Sequence, residues 1–319
     1  MGRFVLVACT NVGRYIIQTF MNTSDIGAEL VGVVNLNAEQ AKHKANYDDY
    51  RDLIEKYRLP VYYCNHINDK ETVAFIKGLQ PDIILQSGWS QKFSNEVLSL
   101  PRFACIGEHP APLPKGRGAA CVNWAILTGE TQWGDSYFRM VEGYDKGEIY
   151  AQEFFRIEPY DTVFTVYEKV ARCAQKVVGR YAARWGNGCF DVTVQDERQA
   201  THYLRRKPAD GEILDFDRPA NVLHDFIRAQ TTPYPGAYVT TKKGKLYVLA
   251  SRVCENMFTD EKPGNVFGVG QNGGLLMACA NGTVLELLRL QGENQPSVWG
   301  ADCWKEKALL SDYAHILTV

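Results

Sequence analysis

No two of the nine cysteines in this sequence stand in a CxxC pair, which removes support for zinc ribbons and for thioredoxin-like dithiol chemistry. They are scattered from Cys9 to Cys303, mostly in apolar runs such as Val7-Ala8-Cys9 and Met277-Ala278-Cys279, where a thiol packs as a small core side chain. An odd number of scattered thiols fits a reducing compartment better than a disulfide-stapled secreted fold. No run of about 18 apolar residues occurs, so no membrane partner is expected. Met1-Gly2-Arg3 leads straight into an apolar stretch too short for a signal peptide, and the expected location is cytoplasmic. A surplus of one charge is also missing. Thirty-five Lys and Arg against 37 Asp and Glu leave −2, which makes a nucleic-acid partner unlikely. The basic runs Arg205-Arg206-Lys207 and Lys242-Lys243-Gly244-Lys245 read as solvated faces. There is no internal repeat, no low-complexity tract and no expected metal. A GxGxxG fingerprint is lacking too, and the lone Gly13 reads as a tight strand-to-helix turn.

What is present is a chain of 319 residues with 45% hydrophobic residues, enough for the cores of two domains. Phe4–Ala8, Leu30–Val34, Pro60–Tyr63, Ile83–Leu85 and Phe103–Ile106 are short apolar runs that predict strands buried on both faces. Helical stretches fall between them: one after Gly13, a polar one from Ala38 to about Tyr57, and one over Glu71–Leu79. The alternation predicts an α/β fold with a doubly wound, mostly parallel, Rossmann-like sheet. A long amphipathic helix is expected from Asp161 to Trp185. Beyond residue 205 a helix at Ala220–Arg228 is followed by β-rich pieces at Ala237–Thr240, Lys245–Leu249, Asn265–Val269, Leu275–Ala278 and Val284–Leu290. That texture predicts a small antiparallel, OB-like β-barrel. The expected division is 1–190 catalytic domain, 191–204 linker and 205–319 C-terminal β-rich domain.

In a parallel sheet, ligands bind beyond the carboxyl ends of the strands. The segments after the first and fourth strands therefore draw attention: Asn11, Gly13 and Arg14 border the first crevice, and Gly88, Trp89, Ser90 and Gln91 follow the fourth. The fifth strand runs into Gly107-Glu108-His109-Pro110-Ala111-Pro112-Leu113-Pro114, where three prolines stiffen the chain around one histidine. A preorganised loop of this kind suits a catalytic group. Downstream, Asp145 lies between Gly143 and Gly147. It is either a turn residue bonded to its own backbone or a carboxylate aimed at a site.

The two segments together, His109-Pro110-x-x-Leu113-Pro114-x-x-Arg117-Gly118 and Asp145-x-Gly147-x-Ile149, with Asn123-Trp124-Ala125-Ile126 between them, resemble the 10-formyltetrahydrofolate-dependent formyltransferases. That family includes methionyl-tRNA formyltransferase and the sugar N-formyltransferases. Arg205-Arg206-x-Pro208-x-Asp210-Gly211, Ile227-Arg228-Ala229 and Pro233-x-Pro235-Gly236-Ala237 resemble the start of its C-terminal domain. The pattern is most like the module acting on UDP-4-amino-4-deoxy-arabinose, without the decarboxylating module fused there, so a stand-alone transferase is expected.

The resemblance implies an N-formyltransferase using 10-formyltetrahydrofolate as co-substrate, with His109 as general acid/base and Asp145 orienting it. It implies Gly88, Trp89, Ser90, Gln91, Leu113 and Pro114 as folate contacts. Among acceptors, a nucleotide-linked amino sugar is favoured, with Asn11, Gly13, Arg14, Asn123, Arg205, Arg228 and Tyr234 as its contacts. Methionyl-tRNA, a small metabolite amine, or folate binding by an inactive homologue are the alternatives. A homodimer is possible, since relatives are often dimeric. One position departs from the family: its Asn-x-His reads Gly107-Glu108-His109 here. Either another formyl-oxygen donor substitutes (Gln86, Gln91, Asn123 or a backbone N–H), or catalysis is weakened or altered.

Overall fold

The computed structural model describes residues 1–313. The apolar runs become β1 (Gly2–Ala8), β2 (Ala28–Leu36), β3 (Val61–Cys64), β4 (Ile83–Ser87) and β5 (Ala104–His109), all parallel. After a two-residue strand, β6 (Arg117–Gly118), come β7 (Gln132–Arg139) and β8 (Ile149–Arg156). These two extend the same sheet antiparallel at the β5 edge, giving the order β3-β2-β1-β4-β5-β7-β8. The sequence did not announce this hairpin. The run Gln132–Arg139 carries Asp135 and Ser136, both fully buried, so polar side chains interrupt the apolar signal where it counts.

Helices fill the connections: α1 (Asn11–Asn22), α2 (Ala38–Ala41), α3 (Arg51–Tyr57), α4 (Lys70–Gly78), α5 (Asn95–Leu98), α6 (Cys121–Leu127) and α7 (Val163–Gly186). In α1, Val12, Ile16, Ile17 and Phe20 recur on one face and are all buried, which is what docks a helix on a sheet. Val5, Val7, Val34, Ile84 and Cys105 form a core with Val73 and Ile76 of α4. Each fully buried Val or Ile stabilises by about 1.5–3 kcal/mol.

The polar stretch 38–57 is not one helix. Between α2 and α3 the chain is pulled out of helical form by bonds to the ends of β1 and β2. The Asp48 N–H donates to the Cys9 carbonyl (3.1 Å), the Tyr50 hydroxyl to the Thr10 carbonyl (2.5 Å), and the Asn35 amide to the Asp48 carbonyl (2.9 Å). Tyr50 is fully buried, and burying that ring outweighs a few exposed helical turns.

The chain divides into two compact units. The first comprises Met1–Cys121, Gln132–Arg156 and Val166–Leu204, and the second Val122–Thr131, Ile157–Thr165 and the chain from Arg205 on. The first unit includes β9 (His202–Tyr203), which pairs in parallel with β6. In the second unit, α8 (Ala220–Arg228) accompanies β10 (Ala237–Thr241), β11 (Gly244–Phe258), β12 (Asn265–Val269), β13 (Leu275–Ala278), β14 (Thr283–Gly292), β15 (Ser297–Trp299) and β16 (Ala308–Leu309). They pair antiparallel in the order β10-β11-β14-β13-β12-β16, with β15 on β14, as a curled half-barrel. Leu223 and Ile227 of α8 share a core with Leu246, Val248, Leu275, Met277, Leu285 and Leu287.

Candidate active site

His109 is the last residue of β5, at the carboxyl end of the parallel strands, and only 7% exposed. Its Nε2–H donates to the Gly116 carbonyl at 2.8 Å, and its Nδ1 lies 3.8 Å from Asp145 Oδ1. The second distance is that of an ion pair, not a hydrogen bond. With Nε2 committed to a carbonyl, Nδ1 faces the carboxylate favourably only when it also carries a proton. Burial works against that charge, but Cys121, Asp145 and the Gly116 carbonyl outweigh it and hold the pKa well above the ordinary 6.5. Asp145 sits at φ +55°, and its Oδ2 accepts from the Gly118 N–H at 2.9 Å. Two residues on, Gly147 runs so close to the Arg139 carbonyl that a Cβ would fall 1.7 Å from that oxygen. The glycine is required for the turn that presents Asp145.

A second layer fixes this pair, and sequence reasoning missed it. Arg117 is fully buried and forks onto Gln195 Oε1 (3.1 and 2.6 Å) and Glu197 (2.9 and 2.8 Å). The Gln195 amide in turn donates to the Asp145 and Gly147 carbonyls at 2.8 and 2.7 Å. The Gly116 N–H donates to Thr201 Oγ1 (2.8 Å) and the Arg117 N–H to the Thr201 carbonyl (2.9 Å). Residues 195–203, read from sequence as part of a linker, therefore hold both partners of His109. The only sequence signal was the arginine in the Arg117-Gly118 motif.

Alternation along β5 turns Glu108 to the opposite face of the sheet. One of its oxygens accepts from Ser87 Oγ (2.8 Å) and the Gly88 N–H (3.2 Å), tying down the start of the loop after β4. Asp135 and Tyr137 lie against it, fully buried. Neither Asp135 oxygen nor the Tyr137 hydroxyl makes a conventional hydrogen bond. Burial first, and the neighbouring Glu108 second, raise the Asp135 pKa well above 3.8.

On the His109 face, the space a side chain at Gly107 would need is occupied. A Cβ there would lie 2.8 Å from Phe138 Cε1 and 3.1 Å from Met140 Cγ. Phe138 packs with Leu113 and Ile149. The glycine thus answers an aromatic ring rather than leaving room for a missing amide.

The other expected residues divide between the units. In the first, Arg14 is clamped by Asp48 (2.6 and 2.8 Å) and Asp52 (2.7 and 2.9 Å), which raise its pKa and use its donors internally. Gly13 packs under Tyr50, whose hydroxyl a Cβ would strike. Asn11 bridges Glu168 (2.7 Å) and Asn46 (2.6 Å). Gln91 is spent on the Ile67 N–H and the Asn65 carbonyl, both at 2.8 Å. Gly88 takes φ +59°, Trp89 is half-buried, and Ser90 is exposed. Leu113 is buried and Pro114 half-buried in the loop after His109. Asn123, Arg205, Arg228 and Tyr234 belong to the second unit. There the Asn123 amide donates to the Ala229 carbonyl (2.7 Å). Arg228 is buried, bonded to Asp225 (2.7 Å) and to the Glu158 and Asp161 carbonyls (3.2 and 2.7 Å), a structural commitment. Arg205 is exposed and Tyr234 half-buried. Among the described residues, no helix is long and apolar enough to cross a membrane, and no group of three or more His, Cys, Asp or Glu could hold a metal ion.

His109 and Asp145 thus meet at the carboxyl end of β5 in a doubly wound sheet, and an antiparallel half-barrel follows along the chain. Residues 4–181 match the formyl transferase model and residues 206–308 the formyl transferase C-terminal domain, and the chain belongs to the formyl transferase family. Among solved structures, its fold is similar to HypX from Aquifex aeolicus in complex with tetrahydrofolic acid. That match has 16% identity and a TM-score of 0.64, covering 94% of this chain and 46% of that one. The chain thus spans about half the length of HypX. It is also similar to WlaRD, a sugar 3N-formyl transferase in the presence of dTDP and 5-N-formyl-THF (16% identity, TM-score 0.65, 93% and 99% covered). A third is the N-formyltransferase from Helicobacter canadensis in complex with folinic acid and dTDP-3-aminofucose (13%, 0.64, 90% and 99%).

Proposed function

We propose that this formyl transferase moves the formyl group of 10-formyltetrahydrofolate to the amine of a nucleotide-linked amino sugar. The observation that carries the chemistry is the His109–Asp145 pair at the end of β5. The similar folds with folates and dTDP or a dTDP-amino sugar support the choice of donor and acceptor. A neutral amine attacks the formyl carbon, and a tetrahedral intermediate with a developing oxyanion forms. The amine's proton must leave, and the departing folate nitrogen must gain one. The imidazole of His109 performs both transfers, and Asp145 stabilises the imidazolium and holds the ring.

The oxyanion needs a donor. Gln91 and Asn123 are engaged elsewhere, and Phe138 fills the space beside Gly107. Gln86 pairs in register with Gly107, and strand alternation puts both on the His109 face of the sheet. Its amide donates to the Trp89 carbonyl at 3.2 Å and has a second hydrogen to give. Gln86 is the proposed donor to the formyl oxygen.

The test is to mix the protein with 10-formyltetrahydrofolate and a series of UDP- and TDP-linked amino sugars and to follow tetrahydrofolate release. No release with any of them, while a simple amine or methionyl-tRNA is formylated, would replace the acceptor. No release with any amine would end the enzymatic reading of His109.

A further inference from the structure

The first unit has a concavity that the His109 site does not use. It is a cavity of about 410 Å³ at the carboxyl ends of β2 and β3, within the range of small-molecule sites. Ala38 and Ala41 of α2 leave it room, Tyr47 and Tyr63 line it, and Lys42 and Arg51 complete its lining. Both tyrosine hydroxyls are used on backbone, Tyr47 donating to the Leu36 carbonyl (3.1 Å) and Tyr63 to the Asp49 carbonyl (3.2 Å). What these residues offer a ligand is held aromatic surface. The two cations are solvent-exposed and paired with Glu39 (2.6 Å) and Asp49 (3.1 Å). Exposed pairs of this kind are worth about 0–1 kcal/mol, so a ligand carrying two or more negative charges can take both cations over. Small walls, two rings and two displaceable cations suit a planar base joined to phosphates.

Position agrees with this chemistry. β2, β1, β4 and β5 are parallel neighbours, so this cavity and His109 lie along the same edge of the sheet. Three strand spacings separate β2 from β5, about 14 Å. That is comparable with the reach of an extended nucleoside diphosphate sugar from its base to the far side of its sugar ring.

We propose that the cavity binds the nucleoside diphosphate portion of the acceptor, with the base on Tyr47 and Tyr63 and the phosphates at Lys42 and Arg51. The proposal rests on the nucleotide-sugar reading of the acceptor. Titration calorimetry of the full chain with UDP, TDP and GDP, without folate, tests it directly. At least one of the three binds, which identifies the base. Ala38→Trp, at an exposed position that fills the cavity, weakens that binding at least tenfold, as does the Lys42→Ala, Arg51→Ala double variant. His109→Ala binds the nucleotide as wild type does. Far-UV circular dichroism establishes that the variants are folded. Absence of binding by all three nucleotides, or unchanged affinity in folded Ala38→Trp, overturns the proposal. Formylation of an amino-sugar nucleotide with the same KM in wild type and Ala38→Trp overturns the cavity assignment while leaving the acceptor reading standing. Nucleotide binding lost in Ala38→Trp, with no amino-sugar nucleotide formylated, supports the cavity and removes that acceptor.

Discussion

His109 has both ring nitrogens engaged, one on the Gly116 carbonyl and one facing Asp145, and that arrangement favours the protonated ring before substrate arrives. To accept the amine's proton the ring must first lose its own, so kcat/KM is expected to rise with pH along a limb set by His109. Asp145→Asn removes a charge that raises this pKa. The limb then moves to lower pH while the maximal rate falls, and a pH–rate profile of the two proteins measures both. His109→Ala is expected to lower turnover by about 10²–10⁴-fold with the fold intact, read from tetrahydrofolate release and circular dichroism. Gln86→Leu is expected to cost about 10²–10³ in kcat with little change in stability, the signature of a lost oxyanion donor. Gly107→Asn, by contrast, drives a side chain into Phe138. Its expected cost is about 1–3 kcal/mol of stability in denaturant titrations, with no gain in activity.

At the scale of elements, the site depends on a short parallel pairing, β6 with β9, that brings residues 195–203 beside the loop after β5. Gln195 joins two parts of the chain that local sequence does not connect: it accepts from buried Arg117 and donates to the turn carrying Asp145. Gln195→Ala leaves the Arg117 guanidinium short of an acceptor in a dry environment, at about 1–3 kcal/mol. It also loosens the Asp145 turn. The expected readout is a lower denaturation midpoint together with a kcat loss larger than any KM change. The β7–β8 hairpin works in a similar way. It supplies Ser136, which pairs with His109 in register, and Phe138, which excludes a side chain from position 107.

For the whole molecule, stability is tied to pH through Asp135. Its pKa in the fold lies well above 3.8, while in the unfolded chain it returns to the ordinary value. Between those values the folded state holds a proton the unfolded state has released, so this contribution is fully present in acid and is lost as pH rises through the folded pKa. Asp135→Asn keeps the shape and removes the titration. Melting curves are expected to show a larger gain in Tm in mildly alkaline buffer than in acid. An equal gain at both would mean that Asp135 is ionised in the fold.

The apolar runs of β1, β2, β4 and β5, the periodic stripe of α7 and the turn-punctuated strands after residue 237 were legible without a structure, because burial on a sheet or helix face imposes local periodicity. His109 and Asp145 were legible too, as a strand-end histidine and a glycine-flanked aspartate within family motifs. The sequence by itself thus determined the two kinds of fold along the chain and the pair on which its proposed chemistry is centred. Only the tertiary structure decided what surrounds that centre. It commits Arg14 to Asp48 and Asp52, gives Gly107's space to Phe138, makes a clamp of Gln195, and breaks 38–57 into two helices around buried Tyr50. Each of these outcomes turns on a hydrogen bond or a ring contact between residues far apart in the chain. No local pattern carries that information, since it exists only once the sheet has placed the strand ends side by side.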